Sequence, residues 1–236
     1  MRNNTSFFKK ITTAIILTTL CFSCQSTISK KPEQINPTPQ KPQPKIIYGD
    51  LVVKEQSDYL MIPVSIKDKN SNRGSFLDSS GYSERESQFY NIIFYHKQDG
   101  QNHLLLNKKA VINSFDFIER KQTGKPSTIF WLYRIIENDT NKDNKINSED
   151  ATIGYLSDVS GKNLQQITPN NTQLISWNLV SSQGAIFIKI IKDSDNDNKF
   201  TERDKTNFLK VNLDKPTIGS EIINDQIEQE IKSYLK

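Results

Sequence analysis

Apolar residues in this chain come in short runs rich in β-branched and aromatic side chains, separated by polar turn residues. The runs are Leu51–Val53, Tyr59–Ile66, Tyr90–His96, His103–Leu106, Val111–Ile118, Thr128–Ile136, Thr152–Ser157, Leu164–Ile167, Gln173–Val180, Ala185–Ile191, Phe208–Leu213 and Glu221–Ile223. Runs this short, bounded by Gly, Asn, Asp and Ser, predict strands. Asp99-Gly100 and Ser160-Gly161 predict hairpin turns. The expectation is an all-β, antiparallel domain over residues 46–223, long enough for a substantial core. Its strands fall into three groups of four, which predicts about three four-stranded, blade-like repeats.

The last residues break the pattern. Ile227, Ile231, Tyr234 and Leu235 recur at i, i+4, i+7 and i+8, the spacing of one helical face. Asp225 followed by Glu228 has the form of a capping box. An amphipathic helix over 224–236 is expected, used as a lid over the last repeat or to hold a partner.

The N-terminus reads as an address. Arg2, Lys9 and Lys10 precede an apolar run from Ile11 to Phe22. At about a dozen residues the run is too short to span a bilayer and fits a signal-peptide core. Leu20-Cys21-Phe22-Ser23-Cys24 follows, and it resembles a bacterial lipoprotein signal. Residues 1–23 are then the signal and Cys24 the lipidated residue. A secreted protein with an ordinary cleaved signal is the alternative. Residues 24–45 hold Pro32, Pro37, Pro39, Pro42 and Pro44, which predicts an extended tether. Gln25 after the cysteine favours the outer membrane. Both cysteines sit in this region, so the domain has no disulfide and no Cys-based metal site. Residues 1–23 carry three cations and no acids, so removing them takes the net charge from +4 to +1. That leaves no electrostatic case for nucleic-acid binding.

Two loops repeat one arrangement of oxygen side chains. Asp139, Asn141, Asp143, Asn147 and Asp150 stand at positions 1, 3, 5, 9 and 12 of the first, and Asp193, Asp195, Asp197, Thr201 and Asp204 at the same positions of the second. This is the spacing of an EF-hand calcium loop, which wraps a hard cation in roughly six to eight oxygens. Position 7, Lys145 or Lys199, gives a backbone carbonyl. Position 6 is Asn144 or Asn198 in place of the usual Gly, and Asn tolerates the φ > 0 required there. Ile146 and Phe200 at position 8 would anchor each loop to a core. Asp at position 12, one methylene shorter than Glu, predicts affinity in the ~10⁻⁶ to 10⁻³ M range. The second loop has four Asp against three in the first, so it should bind calcium more tightly. A pair of solvated Asp/Asn turns is the competing reading. The residues flanking each loop are strand-like, so the helices of an EF-hand are not expected. Tandem dockerins share the terminal Asp but carry helices and closer spacing. Asp68-Lys-Asn70-Ser-Asn72-Arg-Gly74 stands at the equivalent hairpin of the first group and reads as a degenerate loop.

The loops start 54 residues apart, at 139 and 193, close to the period of one propeller blade. The run Tyr155-Leu-Ser157-Asp158-Val-Ser-Gly161-Lys-Asn163-Leu164-Gln-Gln-Ile167-Thr168-Pro169 resembles the repeat of TolB-type β-propellers, and Trp177 resembles the tryptophan that opens the following blade. The resemblance spans about 25 residues. It also extends to small bacterial lipoproteins that carry calcium loops inside such repeats. It implies antiparallel four-stranded blades. Three blades do not close a ring, since propellers typically have about four to eight; either the arc stays open or a homodimer closes six.

Little else points to chemistry. His96 and His103 flank the Asp99-Gly100 turn and read as surface strand residues rather than a metal pair. Trp131 and Trp177 read as core. There is no nucleophile elbow and no P-loop. Glu84-Arg-Glu86 lies in a polar insertion over 67–88. The function expected is a non-catalytic, lipid-anchored envelope protein, stabilised by calcium, that binds a protein or glycan. A calcium-dependent envelope hydrolase with a carboxylate pair is the alternative.

Overall fold

A computed structural model describes residues 44–67, 88–122 and 124–235, all within one compact unit, Gln43–Lys236. The signal, Cys24, the proline tether up to residue 43, the degenerate loop at 68–74 and Glu84-Arg-Glu86 lie outside the described residues.

The unit is built from three antiparallel sheets in chain order. The first contains β1 (Lys45–Tyr48), β2 (Val52–Val53), β3 (Tyr59–Lys67), β4 (Asn91–His96) and β5 (Asn102–Leu104). The second is the meander β6 (Val111–Gln122), β7 (Lys125–Ile136), β8 (Ile153–Asp158) and β9 (Gln165–Gln166). The third repeats that meander with β10 (Thr172–Val180), β11 (Ala185–Lys192), β12 (Lys205–Asn212) and β13 (Ser220–Glu221). A ten-residue helix, α1 (Asp225–Tyr234), ends the chain.

In the first sheet, β1 and β2 share one edge of β3, pairing with its C-terminal and N-terminal halves respectively. They are one edge strand interrupted opposite Pro63. Its carbonyl accepts from Gly49 N at 2.8 Å, but proline has no N–H to return a second bond, so the ladder breaks there.

The middle sheet is buried on both faces. Trp131, Tyr133 and Ile135 of β7 pack with Val52, Met61, Ile92 and Phe94 of the first sheet. Leu132 of β7 and Leu156 of β8 point the other way, into Ile186, Ile188, Ile190, Leu209 and Val211 of the third sheet. This two-sided burial explains why residues 129–136, apart from Arg134, read as an apolar run rather than an alternation. The second and third sheets approach closely at Gly154, where a Cβ would lie 2.8 Å from Leu174 Cδ1. Trp177 joins them as well, donating Nε1–H to Asp116 Oδ2 at 3.0 Å. Trp131 is buried, with Phe115 and Phe117 edge-on against its ring.

The outer sheets differ on their far faces. In the first sheet the alternation turns Tyr59 and Met61 toward the core and Leu60, Ile62, Val64 and Ile66 away from it. Ile93 and Tyr95 of β4 stand opposite Ile62 and Leu60. In the third sheet, Ile188 and Ile190 face the core, and the far face carries Phe187 and Lys189 of β11 with Phe208 and Lys210 of β12. The Lys210 ammonium lies 5.9 Å from the centre of the Phe187 ring.

Each run read as a strand overlaps one. The strand missing from that reading is β1, a four-residue edge with a single half-buried position, Ile47. It starts at Lys45, the last residue assigned to the tether. The helix also differs. Its N-cap is Asn224, whose side chain accepts from Ile227 N, rather than Asp225 in a capping box. It is no lid: Ile227, Ile231, Tyr234 and Leu235 are exposed. Lys205 Nζ holds Glu228 Oε2 at 2.9 Å.

Candidate metal centre

The two acidic loops connect the second and third strands of their sheets, β7 to β8 and β11 to β12. Each is a tight curl with left-handed residues at positions 4 and 6: Lys142 (φ 63°) and Asn144 (φ 67°), then Asn196 (φ 60°) and Asn198 (φ 60°). Asn at position 6 satisfies the steric demand that Gly usually meets.

The curl is held by side-chain acceptors bonding to backbone donors two to five residues ahead. Asp139 Oδ2 accepts from Asn144 N at 2.7 Å, and Asp193 Oδ2 from Asn198 N at 3.1 Å. Asn141 and Asp195 accept from the N–H two residues on, at 3.0 and 3.2 Å. Asp143 and Asp197 do the same at 2.8 Å. These Asx turns aim positions 1, 3 and 5 at the inside of the curl.

Position 12 acts as a clamp across the loop. Asp150 is fully buried. Its Oδ1 accepts from Thr140 N at 2.7 Å and Asn141 N at 3.2 Å, and its Oδ2 from Asn147 N at 3.0 Å. Asp204 repeats this with Ser194 N and Thr201 N, both at 2.9 Å. The backbone N–H groups of Thr201 and Ser194 hold the Asp204 carboxyl below the usual carboxylate range. The hydroxyl at position 2 completes the clamp. Thr140 Oγ1 donates to Asp150 and accepts from Ala151 N at 3.0 Å. Ser194 Oγ donates to Asp204 and accepts from Lys205 N at 3.2 Å. Sequence reasoning did not single out these two hydroxyls, although a hydroxyl at position 2 of both loops was the available signal.

In loop 193–204, Asp193, Asp195 and Asp197 each bring a carboxylate oxygen within 4.8 Å of the other two. Asp204, engaged in the clamp, is not in that group. Asp193 Oδ1 is shielded from solvent and has no hydrogen-bond partner. Three carboxylates so close repel one another, and a shielded, undonated oxygen is costly. A small hard cation relieves both, so the donor set fits calcium. The first loop has the same curl and clamp with Asn141 in place of the second acid. Asn147 Oδ1 accepts from Glu149 N at 2.8 Å, and Thr201 Oγ1 from Arg203 N at 3.2 Å. Phe200 packs against the core shared by the first two sheets, while Ile146 is half-buried. The side chains of Lys145 and Lys199 point into solvent; their backbone carbonyls are what position 7 offers.

The histidines are not the surface pair read from the sequence. Both are half-buried. His96 Nδ1–H donates to Asp99 Oδ1 at 2.7 Å. His103 stacks on Phe94, and its Nε2–H donates to the carbonyl of Ser160 at 2.9 Å. The Ser160 partner, 57 residues away, could not be read from local sequence. The turn it belongs to is organised by Asp158, which accepts from Ser160 N and Lys162 N through Oδ1 and from Asn163 Nδ2 through Oδ2. Inside the middle sheet, Tyr133 OH lies 2.9 Å from Ser157 Oγ, which donates to the Asp158 carbonyl. Burial pushes the Tyr133 phenol far up, so it stays neutral and acts as a structural donor.

No family model, curated protein or solved structure matches the chain.

Proposed function

We propose that this chain is a lipid-anchored cell-envelope protein whose all-β domain is stapled by calcium at loops 139–150 and 193–204, and that it serves as a non-catalytic binding or scaffold module. The three sheets are read as consecutive propeller-type blades and the loops as EF-hand-type loops set between strands instead of helices. Cys24 is the lipid attachment point, holding the domain at the membrane, with the outer membrane favoured.

One observation carries the calcium reading. Asp193, Asp195 and Asp197 converge within 4.8 Å while Asp193 Oδ1 is shielded and undonated. Their carboxylates, the Lys199 carbonyl and Thr201 would hold the ion, with Asp204 fixing the loop ends. In the first loop Asp139, Asn141, Asp143, the Lys145 carbonyl and Asn147 take these roles and Asp150 is the clamp. Calcium supplies charge neutralisation and cross-linking of the loop, and no bond is made or broken. Isothermal titration of the metal-stripped protein with calcium tests this. Two sites per chain are expected, the tighter one lost in Asp195→Ala. Absence of calcium heat at millimolar concentration would remove the proposal.

A further inference from the structure

The far face of the first sheet is apolar across its whole width. Register places Ile46 beside Ile66, Tyr48 beside Val64, Val53 beside Leu60, and Leu104 beside Ile93. Among the described residues on this face, Asn91 and Asn102 are the polar positions besides the tyrosines, and none is Lys, Arg, Asp or Glu. Ile46 is 56%, Tyr48 63%, Val53 47%, Tyr95 38% and Leu104 56% exposed, with half-buried side chains between them; at about 200 Å² for a fully exposed large side chain, these five alone open an area on the order of 500 Å². That lies in the upper part of the ~300–600 Å² of the largest patch on a typical monomer, a patch that is often functional, and two copies burying it against each other would hide about 1,000 Å², the lower bound of a specific interface.

We propose that this face is the interface of an isologous homodimer, in which the first sheets of two copies pack face to face about a two-fold axis. The area reaches the lower bound for a specific dimer, and the absence of charge together with the tyrosines matches an interface core. An apolar sheet face packs on its own copy in the manner of a sandwich, with its side chains filling the space between two sheets about 10 Å apart. The third sheet argues against head-to-tail ring closure. Closure would set the apolar face of the first sheet against Lys189 and Lys210 on the third, burying two unpaired ammonium groups. The inference is independent of the calcium reading.

The test uses the full chain in intact cells, with one added cysteine per variant: Leu60→Cys, Ile62→Cys, Val64→Cys or Ile93→Cys. Copper-phenanthroline oxidation is followed by non-reducing electrophoresis, and the parent chain, whose Cys21 leaves with the signal and whose Cys24 carries the lipid under the proposed function, gives the background. Above that background, disulfide-linked dimers are expected from at least one variant, and none from Lys189→Cys or Lys210→Cys. Adding Leu104→Asp to the cross-linking variant should abolish the dimer while the circular-dichroism spectrum stays that of the parent. No dimer from any of the four positions overturns the proposal. So does a dimer that forms only when first-sheet and third-sheet cysteines are mixed, which would show ring closure.

Discussion

Replacing Asp150 with alanine should destabilise the metal-free domain far more than replacing an acid that points into the curl. The carboxylate is fully buried and accepts three backbone N–H groups, from Thr140, Asn141 and Asn147, at 2.7–3.2 Å. Alanine leaves all three donors unmatched. At about 1 kcal/mol each, the low end for donors that a loosened loop lets water reach, the loss is about 3 kcal/mol. For a domain of this size, 1 kcal/mol moves Tm by about 2–4 °C, so the melt should fall by about 6–12 °C. The assay is a circular-dichroism melt of Gln43–Lys236 in EGTA, where bound metal contributes nothing. Asp143→Ala is the comparison, since Asp143 Oδ1 takes a single exposed bond from Lys145 N, and its cost should stay below about 1 kcal/mol. Equal melting of the two variants would refute the clamp and return Asp150 to the role of an ordinary loop acid.

Gly161→Ala should cost about 3 kcal/mol or more, because φ is +78° and the new Cβ would meet the ring of fully buried Phe94; urea unfolding measures this, and a change under 1 kcal/mol would contradict the packing. Lys142→Gly should stabilise the domain by about 0.5–1 kcal/mol, since lysine at φ 63° pays a left-handed cost that glycine does not; a lower melt in EGTA would count against it. The Gln101 N–H and the His96 ring hold Asp99 below its ordinary carboxylate range. A depressed folded pKa means a contribution present above about pH 4 and lost as pH falls through the folded value. The stability gap between the parent and Asp99→Asn should therefore narrow between about pH 5 and pH 3 in urea midpoints, and a constant gap would contradict it.

The sequence pattern disclosed the strands because burial wrote them plainly. β7 and β11 are long β-branched runs, and β7 belongs to a sheet covered on both faces. It disclosed the Asp158 turn because Asp, Gly161 and Asn163 are local turn chemistry. It did not disclose β1, where an edge strand after Pro44 buries almost nothing. It placed the start of β12 three residues late, because Lys205 and Thr206 are polar and Asn207 earns its burial through Glu221 and the Ile223 carbonyl, which lie on another segment. Periodicity found the face of α1 but could not tell that the face would lie open, since amphipathicity says which side is apolar and not what meets it. At the loops, ligand spacing was legible position by position. The division of labour was not: the clamp joins position 12 to positions 2 and 9 through backbone donors, which carry no residue signature.

The most direct test is the melting of Gln43–Lys236 in millimolar calcium and then in EGTA, repeated with Asp193→Ala plus Asp195→Ala. At a hundredfold excess over Kd each site contributes about 2.7 kcal/mol, so two sites raise Tm by roughly 10–20 °C. The double variant should lose more than half of that rise. Superimposable melts with and without calcium would mean that the loops are self-sufficient turns, and the calcium-stapled reading would fall.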